Sequence, residues 1–111
     1  MNKRPCVYIL ASAPNGILYI GVTSDLHARM ATHDQELLDG FTKRHGIKML
    51  VFYEFFETMM DAIGREKRLK DWHRAWKVRL IMNFNPEWRN LFDPATGEIA
   101  FGPSDVDRNR S

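Results

Sequence analysis

At 111 residues the chain has the size of one domain, and 44% hydrophobic with 12% aromatic residues is enough for a core, which excludes a disordered chain. The single Cys6 excludes a disulfide scaffold and a zinc site of several thiolates. Net charge is only +2, yet residues 65–79 hold seven cations against Glu66 and Asp71, a local +5, and the chain after Leu91 is −2.

A basic segment on a nearly neutral chain points to a polyanionic partner; the plainer reading is a solvated helix face. No apolar run approaches the ~18 residues that span a bilayer. The apolar stretch behind Lys3 and Arg4 is broken by Ser12, Pro14, Asn15 and Gly16, unlike a signal peptide. The expectation is a cytoplasmic domain.

Residues 5–11 and 17–23 read as two short strands, and Ser12-Ala13-Pro14-Asn15-Gly16 between them as a hairpin connection. A helix follows, capped by Ser24 or Asp25, with Leu26, Met30 and Leu37 at helical spacing and Gly40 at its end. Residues 41–48 read as a loop exposing Lys43, Arg44 and His45. Met49–Phe56 is nearly continuous apolar and aromatic, a strand covered on both faces. Thr58 with Asp61 forms a capping-box start for a helix to about Asp71. A second helix, roughly His73–Asn83, follows directly or after a kink, and Pro86 ends it. The expected fold is α+β, a three-stranded sheet flanked by helices in the order β-β-α-β-α-α. The domain spans 1–91, with 92–111 a poorly ordered tail.

Polar residues interrupt the apolar stripes, and such breaks are where function is expected. His33 falls within the stripe of Leu26, Met30 and Leu37, and Arg29 leaves the same side of the helix. Two adjacent cations repel unless an anion joins them. Glu66 stands amid Met59, Ala62, Ile63 and Leu69. A partly buried carboxylate needs a cation, either Arg29 in a structural ion pair or a metal ion. Gly64 either permits a close approach or is merely tolerated. If Ala11 pairs with Gly16, Tyr8 lies opposite Tyr19 and the two rings share a face; a register slip of one would part them.

These residues resemble the GIY-YIG nuclease superfamily. Val7-Tyr8-Ile9 and Tyr19-Ile20-Gly21 are similar to its paired motifs; Arg29 with His33 one turn on, and Glu66 within Ala62-Ile63-Gly64-Arg65-Glu66-Lys67, follow in order. Asn85-Pro86-Glu87-Trp88 resembles the end of small stand-alone bacterial members, related to the nuclease domain of the excision-repair incision subunit. The likeness covers about residues 4–91. Cys6 stands where the first motif usually has Gly. Asn83 and Asn85 compete for the family's late Asn.

The resemblance implies a metal-dependent endonuclease on DNA, with a role in DNA repair. Glu66 would hold one Mg²⁺ or Mn²⁺, the hard ions that suit a carboxylate with waters. Arg29 would grip the scissile phosphate through its planar fork. Tyr8 takes the water-activating role and Tyr19 the positioning role, and the two are exchangeable; activation needs a phenol pKa lowered by nearby cations. His33 would relay a proton or bind phosphate. If the helix runs on, Lys67, Lys70, Arg74 and Lys77 form one stripe along a nucleic-acid backbone, with Trp72 and Trp76 in the core. Target choice comes from this domain alone or from a protein partner. The alternatives are a nucleic-acid-binding domain of the same fold that does not cleave, and a scaffold in which Arg29–Glu66 is only an ion pair.

Overall fold

The computed structural model describes residues 3–34 and 44–100, except the side chains of His33 and Asp34. Strand β1 (Cys6–Ala11) is central in an antiparallel sheet, between β2 (Leu18–Thr23) and β3 (Met49–Phe55). Its six residues, CVYILA, are all buried, because a central strand is paired on both edges and covered on both faces. Helix α1 (Leu26–Asp34) follows β2; α2 (Met59–Asp71) and α3 (Arg74–Phe84) follow β3. The α+β order β-β-α-β-α-α thus holds through α3. No described helix is long and apolar enough to cross a membrane.

Pairing of Ala11 with Leu18 leaves six residues in the connection, not four. Ser12 shapes it: its N–H donates to the Ile17 carbonyl at 3.0 Å and its Oγ accepts from the Ile17 N–H at 2.9 Å. Asn15 takes the left-handed conformation that the turn needs, with φ 59°. Strand β3 carries a bulge opposite Ile9 and Leu10, which pair with Phe52 and Leu50. The Val51 carbonyl accepts from Asn85 Nδ2 at 3.3 Å, so the bulge is tied to the end of α3.

The helix starts follow their side chains. Asp25, rather than Ser24, caps α1 by accepting from the Ala28 N–H at 3.2 Å. Thr58 caps α2 by accepting from the Asp61 N–H at 3.1 Å. Helix α1 buries Leu26 and Met30; the expected end at Leu37–Gly40 lies outside the described residues. Helix α2 packs on β1 and β2 and buries Ala62 and Leu69. Ile63 is exposed, not on that face, and a Cβ at Gly64 would meet only the tip of Arg68 at 3.6 Å. Gly64 therefore serves no close approach.

Residues 92–100 differ from the expected tail. Strands β4 (Phe92–Asp93) and β5 (Glu98–Ile99) form a hairpin. The Leu91 N–H donates to the Leu50 carbonyl at 2.8 Å, and the Tyr53 hydroxyl donates to the Ala100 carbonyl at 2.8 Å. Leu91 and Phe92 join the core. Pro94 and Gly97 supply the turn of this hairpin, the Gly97 N–H donating to the Asp93 carbonyl at 2.7 Å, and burial of Leu91 and Phe92 holds it on the core. Residues 101–111 lie outside the described residues.

Candidate active site

The strand register places the first two site residues. Tyr8 faces Gly21 and Leu10 faces Tyr19, two residues away from the expected Tyr8–Tyr19 pairing. A shift of two preserves the alternation of strand faces, so the tyrosines still share one. Their rings meet diagonally, with centroids 6.5 Å apart and planes 35° apart. Gly21 makes room for this. A Cβ there would stand 2.5 Å from Cζ and Oη of Tyr8, closer than carbon tolerates. Glycine within a strand signals such an approach, and position 21 thereby becomes part of the site.

Arg29 reaches the pair from the first turn of α1. Its Nε donates to Tyr8 Oη at 2.9 Å. Tyr8 is fully buried, whereas Arg29 and Tyr19 are half-buried. Burial pushes the Tyr8 phenol above its ordinary pKa, although the Arg29 hydrogen bond and charge pull the other way. Bonding to Tyr8 in turn raises the Arg29 guanidinium, against its own burial. Among the protein groups around Tyr8, burial thus outweighs the Arg29 charge. The beneficiary is Arg29, whose head is held in one direction. Cys6 on the same strand is pushed up to about 12, chiefly by burial, and is no nucleophile at neutral pH.

Glu66 shares the stripe of Ala62 and Leu69, by which α2 meets the two tyrosine-bearing strands. Its side chain is 15% exposed, and Oε2 lies 3.1 Å from Nζ of Lys70, one turn on. The ion pair with Arg29 is not formed. Arg65 beside it pairs instead with Glu54 of β3 at 3.0 Å and stands over the Trp72 ring. No described group of three or more His, Cys, Asp or Glu residues could enclose a metal ion. One largely buried carboxylate whose partner is an exposed lysine fits a single hard cation completed by waters and a phosphate. His33 lies on α1, with its side chain outside the described residues.

The basic residues do not form one helical stripe. Trp72 and His73 take extended backbone angles, ψ 148° and 149°, and break the helix between α2 and α3. Lys67 and Lys70 are exposed on α2. Across the break, one Arg74 nitrogen donates to the carbonyls of Asn15 and Gly16 at 2.7 and 2.6 Å. Lys77 Nζ donates to the Lys70 carbonyl at 3.4 Å. Both therefore have architectural partners. Trp76 is 53% exposed, against the expectation of a core position, while Trp72 is half-buried.

The two late asparagines separate cleanly. Asn85 is buried and spends its amide on the carbonyls of Val51 and Arg89 and on the Arg89 N–H. Asn83 is exposed and lines a groove with Trp72, Trp76, Arg79 and Leu80.

Comparison with known proteins identifies the family. A family model described as the GIY-YIG catalytic domain matches residues 4–79. A UPF0213 protein of Staphylococcus haemolyticus is 35% identical over 75 residues, 68% of this chain and 90% of its own length. A UPF0213 protein of Staphylococcus aureus is 36% identical over the same shares. No solved structure gives a significant match. Two tyrosines converging on one arginine, under a family match that spans most of the chain, place this protein in the GIY-YIG family.

Proposed function

We propose that the protein is a divalent-metal-dependent endonuclease that hydrolyses phosphodiester bonds in DNA. The observation that carries this reading is the 2.9 Å bond from Arg29 to buried Tyr8 beneath a half-exposed Tyr19. A guanidinium held in place by Tyr8, with Tyr19 beside it, is a preorganised cation for phosphoryl oxygens and for the charge that builds during hydrolysis. The two tyrosine roles are exchanged relative to the first expectation. Tyr8, buried and neutral, positions Arg29; Tyr19, nearer solvent, orients the attacking water as donor and acceptor. Glu66 would hold one Mg²⁺ or Mn²⁺ in place of the Lys70 ammonium. That ion, when bound, supplies charge neutralisation at the phosphate and a more acidic water. His33 relays a proton or binds phosphate.

Glu66→Gln tests the assignment. It removes the carboxylate charge at nearly constant volume. Its lost partner is exposed Lys70, 54% accessible, so stability should change by no more than about 0.5 kcal/mol. Cleavage of a panel of single strands, duplexes, flaps and junctions with Mg²⁺ or Mn²⁺ should disappear. Wild-type protein that cuts none of them, or a variant that cuts as well as wild type, overturns the reading.

A further inference from the structure

We propose that the corner between α2 and α3 holds an unpaired nucleobase, gripping the nucleic acid at a second point apart from the Arg29 cluster. The inference rests on the nuclease reading in taking nucleic acid as the ligand. It starts from the helix break. Extended angles at Trp72 and His73 turn the chain sharply before Arg74. Trp72 and Trp76 thereby meet edge to face, centroids 5.9 Å apart and planes at 86°. The His73 ring meets Trp76 at 5.7 Å and 89°. The result is a walled aromatic corner, not a flat patch. Trp76 remains 53% exposed although indole is the largest apolar side chain available to a core.

The adjoining groove has a volume of about 240 Å³ and is lined by Trp72, Trp76, Arg79, Leu80 and Asn83. That is below the size of drug-like cavities, and it suits one small flat group. Its polar members fit a base. The Asn83 amide offers donor and acceptor together, as base edges do, and the Arg79 guanidinium is a planar donor that stays charged. Charge selects the class of occupant. Helix α3 carries Arg74, Lys77 and Arg79 and no acidic residue. A segment of local +5 repels a second copy of itself and attracts a polyanion. In a duplex both faces of each base are covered by neighbours, so an exposed indole stacks only on an unpaired one.

The test is binding of the full chain to labelled oligothymidylate and to a duplex of equal length, read by anisotropy in EDTA so that nothing is cut. Trp76→Ala should weaken single-strand binding roughly 5- to 150-fold, the range for one lost base stack, and leave duplex binding unchanged. Trp76→Phe should retain most of the affinity. Replacing single thymines by abasic sites should weaken wild type at one register and Trp76→Ala at none. Equal single-strand binding by wild type and a folded Trp76→Ala overturns the proposal, as does a Trp76→Ala effect confined to self-association in sedimentation. If wild type cuts DNA while Trp76→Ala binds and cuts alike, this proposal falls and the nuclease reading stands. If wild type binds no nucleic acid of any form, both fall.

Discussion

Tyr8, Gly21 and Arg29 act as one unit at the scale of single residues. Gly21 contributes no chemistry, yet it decides where the Tyr8 oxygen lies, because any Cβ would occupy the space of the phenol. Gly21→Ala should therefore displace the ring and loosen its bond to Arg29. Overpacking of this kind costs about 1–3 kcal/mol, partly relieved as the ring shifts. Urea melts should show the loss of stability, and any phosphodiesterase activity should fall with it. A variant as stable and active as wild type would mean that Tyr8 is not held against Gly21. Cys6 and Gly64 show the converse: one is buried and inert, the other meets only the tip of the Arg68 side chain.

At the scale of elements, the break after α2 separates cations that the sequence aligns on one face. Lys67 and Lys70 stay exposed on α2, whereas Arg74 clamps the β1–β2 connection through two carbonyls. Their substitutions should differ in kind. Losing Lys67 and Lys70 should flatten the slope of log affinity for DNA against log salt by ~0.7–0.9 per phosphate contact; Lys67→Ala should leave stability nearly unchanged, whereas Lys70→Ala also takes the ion-pair partner from Glu66 and lowers it modestly. Arg74→Ala should cost about 1 kcal/mol by freeing the connection and alter the slope little. Titrations at several salt concentrations, beside denaturant melts, separate the two. An unchanged slope in the Lys67→Ala, Lys70→Ala double variant would make that face merely solvated. Helix α3 binds its own end into the sheet in a similar way, since Asn85 completes the bulge of β3.

For the whole molecule, the hairpin after α3 closes the far side of the core. Leu91 and Phe92 are buried, and the Leu91–Leu50 and Tyr53–Ala100 bonds join the segment to β3. The folding unit therefore extends past residue 91. Deleting residues 92–111 exposes the surface under Phe92 and removes the Ala100 carbonyl that accepts from Tyr53. We expect a loss of about 2–4 kcal/mol, from one large apolar burial and one to two hydrogen bonds. Comparing the chemical denaturation of the shortened and complete chains measures it, and equal midpoints would restore 91 as the boundary.

Local signals were sufficient for the strands and helix starts. Continuous apolar residues mark β3, and Thr58 marks the start of α2. Each depends on neighbours a few residues away, where chain chemistry dominates. The register of β1 on β2 was not legible, because Ser12 and Asn15 build a connection two residues longer than the turn signal suggests. Nor was the partner of Glu66, since helical spacing offered Lys70 while the apolar stripe suggested Arg29. Whether Trp76 enters the core turned on two backbone angles at the helix break. The turn formers of residues 92–100 signal a turn, but its docking on β3 rests on bonds to Leu50 and Tyr53, far away in the chain. Sequence determined which groups are present and in what order. Tertiary structure decided which of them meet, because burial, register and hydrogen-bond partners are set by residues far apart in the chain.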